Sequence, residues 1–103
     1  MFERPAPNEF AAAVQEGDLL ATPGVMERFK PTEIAAAMRR YLRLDWKDMD
    51  EEDQQANLRA AMTGEGRVLG AYRIRVTREQ RPDLWIITEA DRSTTTFLLP
   101  EEY

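Results

Sequence analysis

Asp45, Asp48, Asp50, Glu51, Glu52 and Asp53 put six carboxylates into nine residues. Such a run can mimic a row of phosphates and compete for a basic nucleic-acid channel, or it can gather a divalent cation. The spacing is not that of a calcium loop, because there is no glycine at the sharp-turn position and no regular alternation of ligands. The same residues can also be a connector followed by a first helical turn whose acids match the helix dipole. A second group, Arg67, Arg73, Arg75, Arg78 and Arg81, surrounds one strand. Arg73 and Arg75 share a face that can also carry Trp85, which gives an anion-binding or protein-binding surface with cation–π contact. Otherwise it is a solvated sheet face whose long stems cover apolar area. The third group is Glu89, Asp91 and Arg92 followed by Ser93–Thr96. Paired carboxylates in a cleft could do acid–base work. As a turn, Asp91 would accept backbone N–H bonds and Arg92 would pair with Glu89.

Composition narrows the chemistry. The chain has no histidine and no cysteine. Disulfides and zinc–thiolate sites are therefore excluded, as are the usual neutral-pH base and the commonest metal ligand. No Gly-rich phosphate loop, nucleophile elbow or metal-ligand spacing is present, so no cofactor, metal or catalytic residue is assigned. A net charge of −5 disfavours non-specific nucleic-acid binding and suits a basic partner surface. No apolar run approaches the ~18 residues of a membrane span, and the first residues do not read as a signal peptide. The expected location is the cytoplasm.

The elements that position these groups follow from patterning. The 103 residues, 43% apolar and 32% charged, suit one α+β domain with a loose arm over 1–7. Asn8 reads as an N-cap for a short helix ending near Gly17, and Asp18 to Ala21 as a short extended piece. Thr22-Pro23-Gly24 is a turn signal before a one- or two-turn helix, Val25 to Phe29. Ile34, Met38, Tyr41 and Leu42 make the apolar stripe of a helix from about Thr32 to Arg43. Trp46 is expected to fold back onto the core. Asp50 reads as the N-cap of a helix running to about Met62 and ended by Gly64 and Gly66. Arg67 to Thr77 alternates as a strand, and Gly70 marks a bulge or a close contact. Leu84 to Pro100 reads as a hairpin around the Ala90–Ser93 turn, with its middle strand buried on both faces. The expected fold is N-terminal helices packed on one face of a C-terminal three-stranded antiparallel sheet.

The string Trp85-Ile86-Ile87-Thr88-Glu89-Ala90-Asp91-Arg92-Ser93, then Thr95-Thr96 and Leu99-Pro100-Glu101-Glu102-Tyr103, resembles a widespread family of small proteins carried on bacterial plasmids, integrative elements and prophages. Ala21-Thr22-Pro23-Gly24, Asp45-Trp46, and Leu69, Ala71 and Tyr72 extend the resemblance over most of the chain after Gly17. Two features depart from it: Lys47 stands where a glycine usually follows Asp-Trp, and the Arg78–Asp83 connection is longer. Some small mobile-element proteins of this kind inhibit type II-A Cas9. The resemblance thus implies an anti-CRISPR protein that binds Cas9 or its guide-RNA complex without catalysis; the charge and composition add the expectation of no direct nucleic-acid or membrane contact and a host cytoplasm, and a monomer is expected over an oligomer. On that implication the acidic run 45–53 makes the contact, with the Arg73, Arg75 and Trp85 face as its rival. The alternatives are an accessory or regulatory protein of a mobile element, and a small carboxylate enzyme using Glu89, Asp91, Arg92 and Thr95.

Overall fold

The computed structural model describes residues 7–103, with side chains from Glu9 onward. The loose arm expected over 1–7 lies outside the described residues except for Pro7, which opens a helix. That helix, α1, spans Pro7–Glu16, so Asn8 sits inside it and is not its cap. β1 (Asp18–Ala21), α2 (Pro23–Arg28), α3 (Pro31–Leu42) and α4 (Glu51–Thr63) follow. β2 (Val68–Arg73), β3 (Asp83–Thr88) and β4 (Thr94–Leu98) come next, and a 3-10 turn at Pro100–Glu102 closes the order.

Local chemistry sets these boundaries. The Thr22 hydroxyl accepts the Val25 N–H, and Pro23 opens α2 where a missing N–H costs nothing. The Glu33 carboxylate accepts the Lys30 N–H ahead of α3. Asp50 accepts the Asp53 N–H and caps α4, which ends at Gly64 with φ 74°, a left-handed conformation that glycine adopts freely.

The sheet has four strands in the order β1-β4-β3-β2. The expected antiparallel meander β2–β3–β4 is present, but β1 adds to β4 as a parallel strand, Asp18 beside Thr94 through Ala21 beside Phe97. The three-stranded antiparallel reading is thus corrected to a four-stranded mixed sheet. The reason is physical: an edge strand of four exposed residues shows no apolar alternation.

One face of the sheet carries Val68, Gly70, Tyr72, Leu84, Ile86, Thr88, Thr95 and Phe97, and it packs with Phe10, Val14, Ala37 and Tyr41 of α1 and α3. Gly70 has the close contact expected of it, since a Cβ there would lie 2.8 Å from the Tyr41 ring. Tyr41 also anchors a buried hydroxyl chain. Its OH is 3.1 Å from the Val68 carbonyl and 2.6 Å from Thr88 Oγ1, which is 2.8 Å from Thr95 Oγ1. Because a carbonyl only accepts, the protons must run Thr95 to Thr88 to Tyr41 to Val68. Burial pushes the Tyr41 phenol well above its ordinary range. Trp46 folds back onto the core and is buried, as its position in the connector predicts.

Candidate functional site: a groove between α4 and the sheet

The second sheet face is built by Leu69, Ala71, Ile87, Trp85, Thr96 and Leu98, with Leu20 at its far edge. Its centre is covered, with Ile87 and Leu98 buried and the closing 3-10 turn packed on β3, so the middle strand is buried on both faces at Ile86 and Ile87. α4 stands along the β2 edge, fastened there by Asn57 and at its C-terminal end by Arg92, which donates to the Ala60 carbonyl. Asn57 Nδ2 donates to the Leu69 carbonyl at 2.7 Å, and Asn57 Oδ1 accepts the Leu69 N–H at 3.2 Å. The amide thus completes the ladder that β2 lacks on that side.

The offset leaves a groove of about 390 Å3 between helix and sheet. Leu69, Ala71 and Trp85 form its floor, Ala56 of α4 and Met49 of the preceding connector its wall, and Asp48 and Asp53 its rim. Trp85 is half-buried and packs edge-to-face on Tyr103, 5.5 Å between centroids. Arg67 in turn sits 5.8 Å over the Tyr103 ring. The backbone contributes as well. The N–H groups of Leu69 and Arg73 point away from β3, so the strand pleat points that of Ala71 the same way. Among the described residues the Ala71 peptide groups take no partner on that side. An apolar floor, an unpaired backbone donor and acceptor, and an acidic rim are what an extended or helical segment with basic flanks requires.

The acidic run does not act as one patch. Asp45 and Asp48 clamp Arg40, at 2.9 and 3.2 Å, and Asp48 also accepts the Arg73 N–H at 3.1 Å. The Arg40 hydrogen bond holds the Asp45 carboxyl below the usual carboxylate range. Burial pushes the Asp48 carboxyl up, but the bonds from Arg40 and the Arg73 N–H outweigh it and leave it lowered. The Arg40 guanidinium is held charged by Asp45 and lies 4.9 Å over the Tyr72 ring. Asp50 is the cap. Glu51, Glu52 and Asp53 are exposed on the first turn of α4, with no cation partner among the described residues. The uncompensated charge therefore sits at the helix start, beside the groove.

The rival face is partly joined to it. Arg73 lies on the same face as Trp85 and pairs loosely with Asp83, at 3.7 Å. Arg75 lies beyond β2, where it lines a separate depression with Arg40, Asp48, Arg73 and Arg81. The expected stacking of these arginines on Trp85 is replaced by Tyr103.

At the hairpin turn, Asp91 accepts the Ser93 N–H at 2.9 Å, as expected. The expected Arg92–Glu89 ion pair is not what forms. Glu89 pairs with Arg67 at 3.6 Å, while Arg92, with φ 63°, sends its guanidinium inward. It donates to the carbonyls of Gly66 and Ala60, both at 2.8 Å, and lies over the Phe10 ring. Thr95 is buried in the hydroxyl chain, away from Asp91. Glu89, Asp91, Arg92 and Thr95 thus do not converge on a cleft. Among the described residues, no three acids converge to hold a metal ion, and no helix is long and apolar enough to cross a membrane.

The sequence reading missed Asn57, Met49 and Ala56. Asn57 could have been found as a polar residue on the side of α4 that also carries Ala60 and Ala61. A scan against protein-family models finds no match to this chain, and neither does a search of curated proteins nor one of solved structures.

Proposed function

We propose that this protein is a non-enzymatic binding protein whose groove between α4 and β2–β3 engages a basic segment on the surface of a partner protein. The observation that carries the reading is the groove itself, where Asp53, the exposed acid of the α4 start that lines it, meets the Trp85 floor, with Glu51 and Glu52 on the same helical turn. Trp is the residue type most often found as an interface anchor, and a rim of like charge steers an oppositely charged partner. Following the family resemblance, the partner is type II-A Cas9, whose guide-bound form presents basic surfaces for the heteroduplex and for the PAM-proximal duplex. The protein then acts as an anti-CRISPR inhibitor by occupying such a surface. An accessory role in a mobile element is the alternative.

The test is a Cas9 cleavage assay titrated from below to above equimolar inhibitor, with a pull-down of the Cas9–guide complex. Stoichiometric inhibition with co-purification is expected. Trp85→Ala and a Glu52→Lys, Asp53→Lys pair should each abolish both effects, while Arg75→Glu should not. Absence of inhibition at large excess of folded protein would remove Cas9 as the partner. Inhibition that survives the groove variants but not Arg75→Glu would move the contact to the arginine side.

A further inference from the structure

The two edges of the sheet are finished differently. The β2 edge is sealed at Leu69 by the Asn57 amide and at Arg73 by the Asp48 carboxylate. The β1 edge is not sealed. Asp18 and Thr22 donate their N–H groups to β4, to the carbonyls of Ser93 and Phe97, so the pleat aims the N–H and C=O of Leu19 and Ala21 outward. Among the described residues these groups meet no partner. Leu19 and Leu20 are each 51% exposed, and all four residues of β1 are open to solvent.

The entrance to this edge carries charge. Glu16, Asp18 and Asp91 line one depression of about 340 Å3 with Ala13, Gly17 and Ser93. Among the described residues none of the three carboxylates has a cation partner. Arg92, the nearest cation in the lining, is committed to the Gly66 and Ala60 carbonyls. The depression is fixed in place by Gly17, where a Cβ would lie 2.6 Å from the Arg92 carbonyl oxygen.

We propose that β1 is a strand-addition site for an extended segment of a partner protein that is apolar beside Leu19 and Leu20 and carries Lys or Arg over the Glu16–Asp18–Asp91 depression. Main-chain bonds to Leu19 and Ala21 would supply the docking, and the ion pairs the direction and selectivity. A second copy of this chain is a poorer occupant. Four residues paired across a two-fold axis bury far less than the ~1,200 Å2 of a stable dimer, and both copies bring the same acidic end. The site lies on the edge opposite the α4 groove and does not depend on what that groove binds.

The probe is an acetylated hexapeptide of alternating Val and Thr with a lysine at each end, titrated to millimolar concentration into the full 15N-labelled chain. In the free protein the Leu19 and Ala21 amides should exchange with solvent fast and the Leu20 amide slowly. The peptide should shift the first two and slow their exchange at least roughly tenfold. Leu19→Pro removes only an outward N–H and should abolish the response with the remaining spectrum intact; Leu19→Lys serves if that variant fails to fold. Glu16→Lys with Asp18→Lys should weaken binding roughly fivefold, the worth of two exposed ion pairs. A peptide with glutamate at each end should not bind. Lack of any shift in β1, or equal response to the glutamate peptide, overturns the proposal. So does protection of Leu19 and Ala21 in the free protein that fades on dilution, which would show a second copy on the edge.

Discussion

Replacing Asn57 with alanine should be among the costliest single changes outside the core. The side chain is buried and makes both bonds to the Leu69 peptide, at 2.7 and 3.2 Å. Its removal strands one backbone donor and one acceptor between α4 and β2. A buried unsatisfied group costs about 1–3 kcal/mol. Asn57 also lines the groove, so water can reach part of the vacated space and the loss should fall near the lower end for each group. The sum is about 2–3 kcal/mol. Urea unfolding followed by the fluorescence of Trp46 and Trp85 measures it. With a slope of ~1–3 kcal/mol/M for a small domain, the midpoint should drop by roughly 0.7–3 M at unchanged slope. Asn57→Asp keeps the acceptor, loses the donor and sets a charge against the Leu69 carbonyl. It should be at least as damaging at pH 7 and recover partly in acid. A loss below ~0.5 kcal/mol for Asn57→Ala would mean that the bracket on β2 is not what fastens α4.

The tyrosines should behave oppositely. Tyr41→Phe removes the donor to Val68 and the acceptor for Thr88, and should cost about 1–2 kcal/mol. Tyr72 is fully buried with no hydroxyl partner among the described residues, so Tyr72→Phe should be neutral or stabilising in the same urea experiment. Gly70→Ala should destabilise by about 1–3 kcal/mol, because the new methyl meets the rings of Tyr41 and Tyr72 at 2.8 and 2.9 Å. Asp45 and Asp48 have folded pKa values below the ordinary carboxylate value. Their contribution is therefore full above about pH 4–5 and lost as pH falls through the lowered values. Arg40→Ala should flatten that acid limb of the urea midpoint against pH.

Sequence periodicity carried the helices and the meander. α3 announces itself through Ile34, Met38 and Tyr41, α4 through the Asp50 cap and Gly64, and β3 and β4 through their β-branched residues. What stayed hidden depends on partners distant in the chain. β1 is four exposed residues whose meaning comes only from Thr94–Phe97. The acidic run reads as one cluster in sequence but is divided by Arg40, a turn and a half before the connector. Arg92 and Glu89 are close enough in sequence to suggest a pair, yet the left-handed backbone at Arg92 sends its guanidinium to the end of α4. Both halves of the groove were named as rivals, because nothing local shows that α4 leans on the β2 edge and makes them neighbours.

The parallel pairing of β1 with β4 also orders events in time. About three quarters of the chain separates the two strands. During synthesis the first strand waits until the chain through Thr94–Leu98 has left the ribosome, and in a refolding chain it pays the largest loop-closure entropy of the sheet. Until it arrives, Thr94–Leu98 is a bare edge of strong strand formers, five residues without a charge. β1 is thus the stopper of a growing sheet, and the moment before it seats is when this chain is most exposed to pairing with a neighbour of its own kind.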